Sequence, residues 1–126
     1  MDTHRETAEA FWDALARREF DSAAAALHPD FVEDWPQSGE RIVGVQNWLR
    51  MVREHPTFPT IQPTRTLGAE ELWVTECRYD YGDGTPWSIC AVQELRDGRI
   101  ARITEYFGSP FEAADWRTDI VERIPD

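Results

Sequence analysis

The chain has 126 residues, 41% of them hydrophobic and 12% aromatic, including six tryptophans. That is material for one core and too little for two, and it excludes a disordered chain. Thirteen basic against 24 acidic residues leave a net charge of −11, a surface that repels phosphate backbones and anionic lipid, so neither nucleic acid nor a membrane is an expected partner.

The opening "MDTHRETAEAFW" lacks the basic segment and apolar run of a signal peptide. No stretch reaches the roughly 18–20 apolar residues of a membrane span, and a cytoplasmic protein is expected. Thr3 and Glu6 stand in capping-box spacing, followed by Ala10, Phe11, Ala14 and Leu15 on one stripe, which predicts an amphipathic helix over 3–18. "DSAAAALH" predicts a second, short helix stopped by Pro29. A third is predicted over 45–54, where Trp48, Leu49 and Val52 recur at helical spacing before His55-Pro56.

The period then changes. "TIQPTRTL", "ELWVTECRYDYG", "PWSICAVQELRDG" and "RIARITEYFG" are rich in β-branched and aromatic residues and are parted by turn signals, which predicts four antiparallel strands. Taking Asp83-Gly84 and Asp97-Gly98 as two-residue hairpin loops sets Cys77 opposite Cys90 and Cys90 opposite Glu105. One face then holds Thr75, Cys77, Tyr79, Ser88, Cys90, Val92, Ala101, Ile103, Glu105 and Phe107. The other holds Leu72, Val74, Trp87, Ile89, Ala91, Gln93, Leu95, Ile100, Arg102 and Tyr106. Neither face is plainly polar, so the helices are expected to cover one and a second subunit the other, giving a homodimer through the sheet. The tail "PFEAADWRTDIVERI" reads as a short amphipathic helix that closes over a cavity or over the dimer seam. Both cysteines are expected to be buried thiols.

The first third, "AFWDALARREFDSAAAALHPDFVEDWPQSGERIVG", and the last strand, "DGRIARITEYFG", resemble the nuclear transport factor 2-like superfamily, in particular its SnoaL-like polyketide cyclase branch. The resemblance spans nearly the whole chain and implies one SnoaL-like domain over residues 1–126. It implies an α+β cone in which three N-terminal helices pack on a curved antiparallel sheet of four to six strands, with a short C-terminal helix. Members of that fold include cyclases, isomerases, dehydratases, epoxide hydrolases and non-catalytic binding modules, so function has to come from the site. The cyclases carry a carboxylate on the last strand seven residues after the glycine of the preceding turn, which from Gly98 is Glu105. Ketosteroid isomerases of the fold use an Asp in a "VED" segment, which matches Asp34. Their oxyanion donors are replaced here by Phe11 and an apolar residue near Ala91, and the Asp-Arg-Asp set of limonene-epoxide-type hydrolysis lacks its inward Arg.

The expected site therefore joins Asp34 and Glu105 as the catalytic acids of a cavity lined by Trp12, Trp35, Tyr79, Cys90, Ile103 and Phe107. Apolar walls and mutual repulsion would leave one acid protonated near neutral pH, which suits cofactor-independent enolisation, cyclisation or elimination on a small apolar metabolite. Tyr79 could donate to a developing enolate. The alternative is a binding or assembly module with the same cavity. Metal ligands are absent as a set, with no HExxH and no CxxC pair. Asp34 has a bland reading as a turn residue, Glu105 as an acid turned to solvent by a bulge.

Overall fold

A computed structural model describes residues 3–125. Helices α1 (Thr3–Ala16), α2 (Phe20–Ala24) and α3 (Val45–Glu54) pack on a six-stranded sheet of β1 (Leu27–Trp35), β2 (Glu40–Val43), β3 (Thr60–Ala69), β4 (Leu72–Asp80), β5 (Trp87–Arg96) and β6 (Arg99–Gly108). A 3-10 helix spans Asp115–Ile120. The α+β class, the three helices and the four later strands follow the sequence pattern. The sheet runs β2-β1-β6-β5-β4-β3 and is curved and unclosed. It is mixed rather than purely antiparallel, because β1 lies parallel to β6.

That parallel pair forms in a segment expected to be a helix end and a loop. α2 stops at Ala24 because Leu27 already joins Ile100 in the ladder. Pro29, which has no N–H to give, falls where the β1–β6 register breaks between Leu27 and Val32.

The two expected hairpins behave differently. Asp97 and Gly98 take φ of 54° and 76°, the left-handed pair of a tight hairpin, and Arg96 faces Arg99 as the sequence predicts. One residue pair further the ladder slips: Leu95 faces Ile100 but Glu94 faces Arg102, leaving Ala101 as a β-bulge. Asp83-Gly84 makes no two-residue loop, since β4 ends at Asp80 and β5 starts at Trp87. The expected pairings are therefore off by one. Cys77 faces Ile89, Cys90 faces Glu76 and Tyr106, and Glu105 faces Ala91.

A slip of one residue exchanges the faces of β5 relative to its neighbours. The concave face holds Trp73, Thr75, Cys77 and Tyr79 of β4 with Ile89, Ala91, Gln93 and Leu95 of β5, all buried. Ile100, Ile103 and Glu105 of β6 complete it. Cys90 points to the convex face and is only half-buried, so the thiols lie on opposite sides of the sheet, both free. Against the concave face α1 sets Phe11 and Trp12, and α3 sets Trp48 and Val52. A buried polar string stitches helix to sheet: Trp12 Nε1 donates to Gln93 Oε1 (3.0 Å), and Gln93 Nε2 donates to Thr75 Oγ1 (2.8 Å). Every buried polar side-chain atom among the described residues has a partner, as a packed core requires.

The tail forms the expected short helix, of 3-10 type; it buries none of its own residues, Phe111, Trp116, Ile120 and Ile124 are exposed, and no tail residue lines the cavity between the helices and the sheet. Among the described residues no helix is long and apolar enough to cross a membrane.

Gly68 faces Trp73 near the end of the β3–β4 hairpin, and a Cβ there would lie 2.2 Å from the Leu72 carbonyl oxygen and 2.7 Å from Trp73 Cα. Both are backbone atoms of a paired strand, which cannot give way. Gly68→Ala is expected to cost about 2 kcal/mol or more in urea unfolding; an unchanged midpoint would show that the hairpin end is not held against Trp73.

Candidate active site

Between α1, α3 and the concave sheet lies a cavity of about 540 Å³, within the range of small-molecule sites. Two carboxylic acids reach its wall. Glu33 and Trp35 are two apart on β1 and so share a face, while β1–β6 pairing sets Asp34 beside Thr104. Glu105, one residue on, thereby comes to lie next to both.

The Trp35 indole N–H bridges the acids, donating to Glu33 Oε2 at 2.8 Å and to Glu105 Oε1 at 3.0 Å. Tyr79 donates its hydroxyl to the other Glu105 oxygen at 2.6 Å. Gln37 Nε2 donates to the Glu105 carbonyl oxygen at 3.0 Å, and this clips the turn after β1 onto β6. Glu33 is 4% exposed and Glu105 5%.

Burial drives both carboxyls up from the ordinary value, because an ionised form is poorly solvated there. Glu33 is moved further: burial acts first, then the neighbouring charge on Glu105 and their shared hydrogen bond, with Trp35 and Trp48 opposing weakly. Glu105 is raised by burial too but held back by hydrogen bonds from Tyr79, Trp35 and Glu33, all favouring its ionised form. Of the two, Glu33 is accordingly the acid that burial and its neighbour's charge favour in the protonated form. Burial and the charge on Glu105 also raise Tyr79, and push Tyr81 up to about 12, so both phenols stay protonated donors.

The remaining wall is aromatic. Trp12, Trp35, Tyr79 and Phe107, all expected from the sequence, line the cavity, and so do Phe11, Trp48, Phe58, Tyr81 and Trp87. Ile103 is 1% exposed and packs in the core without lining the cavity. Cys90 is absent from it, since the register slip carries it to a shallow groove on the convex face beside Glu76 and Tyr106.

Asp34 is the chief correction. Its side chain leaves the sheet on the face opposite Glu33, as strand alternation demands. Arg41 Nε and Nη2 donate to its two oxygens at 2.6 and 3.0 Å, and Arg102 Nη1 lies 3.7 Å away. These Arg41 bonds hold its carboxyl below the usual range. The partner of Asp34 is thus a guanidinium rather than the turn amides of the bland reading. Glu33, which the sequence reading passed over, occupies the inward position instead. The signal was present: Phe31, Glu33 and Trp35 alternate as one face of a strand.

His55, just past the end of α3, also lines the cavity. Its ring stacks on Tyr81 (centroids 6.2 Å, 21°), and its Nδ1 accepts the Thr57 backbone N–H, which directs any proton to Nε2.

Residues 8–103 match the SnoaL-like domain model, and the chain belongs to that family, within the nuclear transport factor 2-like superfamily. An NTF-2 like protein of unknown function from Burkholderia xenovorans LB400 is 36% identical, with a TM-score of 0.88 over 98% of this chain and 96% of the other. A putative ketosteroid isomerase from Kribbella flavida is 28% identical, with a TM-score of 0.89 over 98% and 91%. An LEH-like epoxide hydrolase from M. tuberculosis is 26% identical, with a TM-score of 0.70 over 83% and 82%. No functionally curated protein matches the sequence.

Because Glu33 is raised above its ordinary 4.5, the folded chain keeps a proton that the unfolded chain has released, and stability must fall as pH rises from about that value. Glu33→Gln removes this loss. Its thermal midpoint is expected to exceed the wild type's by about 5 °C at alkaline pH, with the gap closing near pH 4. A variant less stable than wild type at alkaline pH would show that Glu33 is ionised in the fold.

Asp34→Asn loses its ion pairs with Arg41 and Arg102 at the sheet surface and is expected to cost about 1 kcal/mol or less in urea unfolding. A loss several times larger would mean that the Arg41–Asp34–Arg102 cluster clamps the β2–β1–β6 edge.

Proposed function

We propose that the chain is a cofactor-independent acid–base enzyme, a cyclase, isomerase or dehydratase, acting on a small, mostly apolar cyclic metabolite. The observation that carries this is the pair of buried carboxyls joined by one indole N–H at the wall of an aromatic cavity. Buried acids are costly to a fold, and an adjacent pair that shares a proton is the arrangement acid–base chemistry uses near neutral pH.

In this reading Glu105, ionised, removes a proton from the carbon beside a substrate carbonyl, and Glu33 supplies its proton to the carbonyl oxygen. Tyr79 aims its proton at Glu105 in the resting site and turns it to the developing enolate oxygen when substrate arrives. The indole of Trp35 keeps the two acids at a fixed separation throughout, so no reorganisation is required at the moment of transfer. Trp12, Trp35, Tyr79 and Phe107 exclude water and hold the ring system; Cys90 and Asp34 take no part. A cytoplasmic protein, paired through the convex sheet face, completes the proposal. Leu72 and Tyr106, both about half exposed on that face, support the pairing.

One observation favours the non-catalytic alternative. Both oxygens of Glu105 are already taken by internal donors, the pattern of a fixed structural acid in a binding module.

Deuterium exchange separates the two. In D2O, with a panel of bicyclic ketones followed by NMR, wild type is expected to exchange α-protons above background, and Glu105→Gln to lower the rate by about 100-fold or more. Equal rates in wild type, Glu33→Gln and Glu105→Gln, with binding retained in all three, would leave the binding module.

A further inference from the structure

We propose that the cavity takes an organic cation, an apolar ring-bearing amine or quaternary ammonium compound whose positive nitrogen sits against the Glu33–Glu105 pair. This rests on the cavity being a small-molecule site and narrows what that site selects.

The argument begins with charge. The acids of the wall are Glu33 and Glu105, and its only basic side chain is His55; no Arg and no Lys lines the cavity among the described residues. Arg18 approaches from outside, but it is engaged by Phe58, with its guanidinium 5.4 Å from the ring and Nη2 donating to the carbonyl oxygen at 3.1 Å. Neither Glu33 nor Glu105 has a cation within 4 Å among the described residues, although seven other carboxylates, on Glu19, Asp21, Asp30, Asp34, Glu54, Glu76 and Glu94, each meet an arginine.

A carboxyl pair that shares one proton carries one negative charge. Buried charges are ordinarily paired with an opposite charge, and this one is steadied by neutral donors, the N–H groups of Trp35 and Trp48, the O–H of Tyr79 and the hydrogen bond between the two acids. The ligand is the partner it lacks.

The aromatic wall points the same way. Ring faces present negative potential, and several rings around one cationic nitrogen form the cage that recognises ammonium groups. Trp35 and Tyr79 touch the acids through their N–H and O–H, and their rings line the same cavity as Trp48 and Phe107, with Trp35 and Phe107 6.3 Å apart edge to face and Tyr79 and Phe107 6.1 Å apart. The whole chain adds a field of −11, which draws cations in and keeps carboxylates and phosphates out. A monocation neutralises the pair without displacing its shared proton. The acid and the base of the proposed reaction both survive binding.

The test is calorimetric titration near neutral pH with three probes on one ring system: naphthylmethyl-trimethylammonium, naphthylmethanol and naphthoate. The cation is expected to bind at least about tenfold more tightly than the alcohol, and the carboxylate most weakly of the three. In a Glu33→Gln, Glu105→Gln double variant the ratio of cation to alcohol is expected to fall to about two or less, while the alcohol still binds and so reports an intact cavity. Alcohol affinity equal to or above the cation's in wild type, or a preference that persists in the double variant, would overturn the cation assignment and leave the small-molecule reading standing. Failure of all three probes to bind would overturn both. The wild-type series decides the matter alone should the double variant not fold.

Discussion

The extra residue in β6 is what the site depends on. Without a bulge at Ala101, the register set by the Asp97-Gly98 turn would continue, and the concave face would receive Arg102, Thr104 and Tyr106 in place of Ile103, Glu105 and Phe107. An arginine would then enter the core and the acid would leave it. The bulge instead turns the second half of β6 over, so that Glu105 meets Trp35 on the neighbouring parallel strand and Tyr79 across the sheet. Parallel pairing of β1 with β6 does the rest, since it sets Glu33 and Glu105 side by side from segments over 70 residues apart in the chain.

What the bulge creates is expensive. Two carboxyls leave water for an environment of indole and phenyl rings, and their hydrogen bonds return only part of the hydration they give up. The fold tolerates this by keeping a proton in the pair and by fixing the donors from rigid elements: Trp35 at the end of β1, Tyr79 near the end of β4, Trp48 on α3. Trp12 is locked behind them by Gln93 and Thr75, so the wall facing the acids has no slack. Local destabilisation held in place by surrounding packing is characteristic of sites that act on something.

The convex side tells a different story. Asp34, Arg41, Arg102 and Glu94 form an ion-pair cluster across β2, β1, β6 and β5, in the open, where charges remain largely hydrated. Adjacent residues of one strand, Glu33 and Asp34, thus serve opposite ends of the electrostatic scale. The difference between them lies in which side of the sheet each faces, and therefore in how much water each retains.

The sequence by itself determined the class of fold, the three helices, the four later strands and the Asp97-Gly98 turn, because these follow from local periodicity and from backbone preferences that a few residues settle. It also marked Glu105, Trp12, Trp35, Tyr79 and Phe107 as residues that would gather. It did not determine β1, whose Leu27–Trp35 run becomes a strand only because β6 is there to pair with it, and so Asp34 and not Glu33 seemed to face inward. Nor did it determine the Ala101 bulge, which shifts the register beyond the turn and leaves Glu105 on the face opposite Cys90. Both were decided by tertiary structure for one physical reason: side-chain direction in a strand alternates with every residue, so it is set by long-range pairing, and a single inserted residue reverses it.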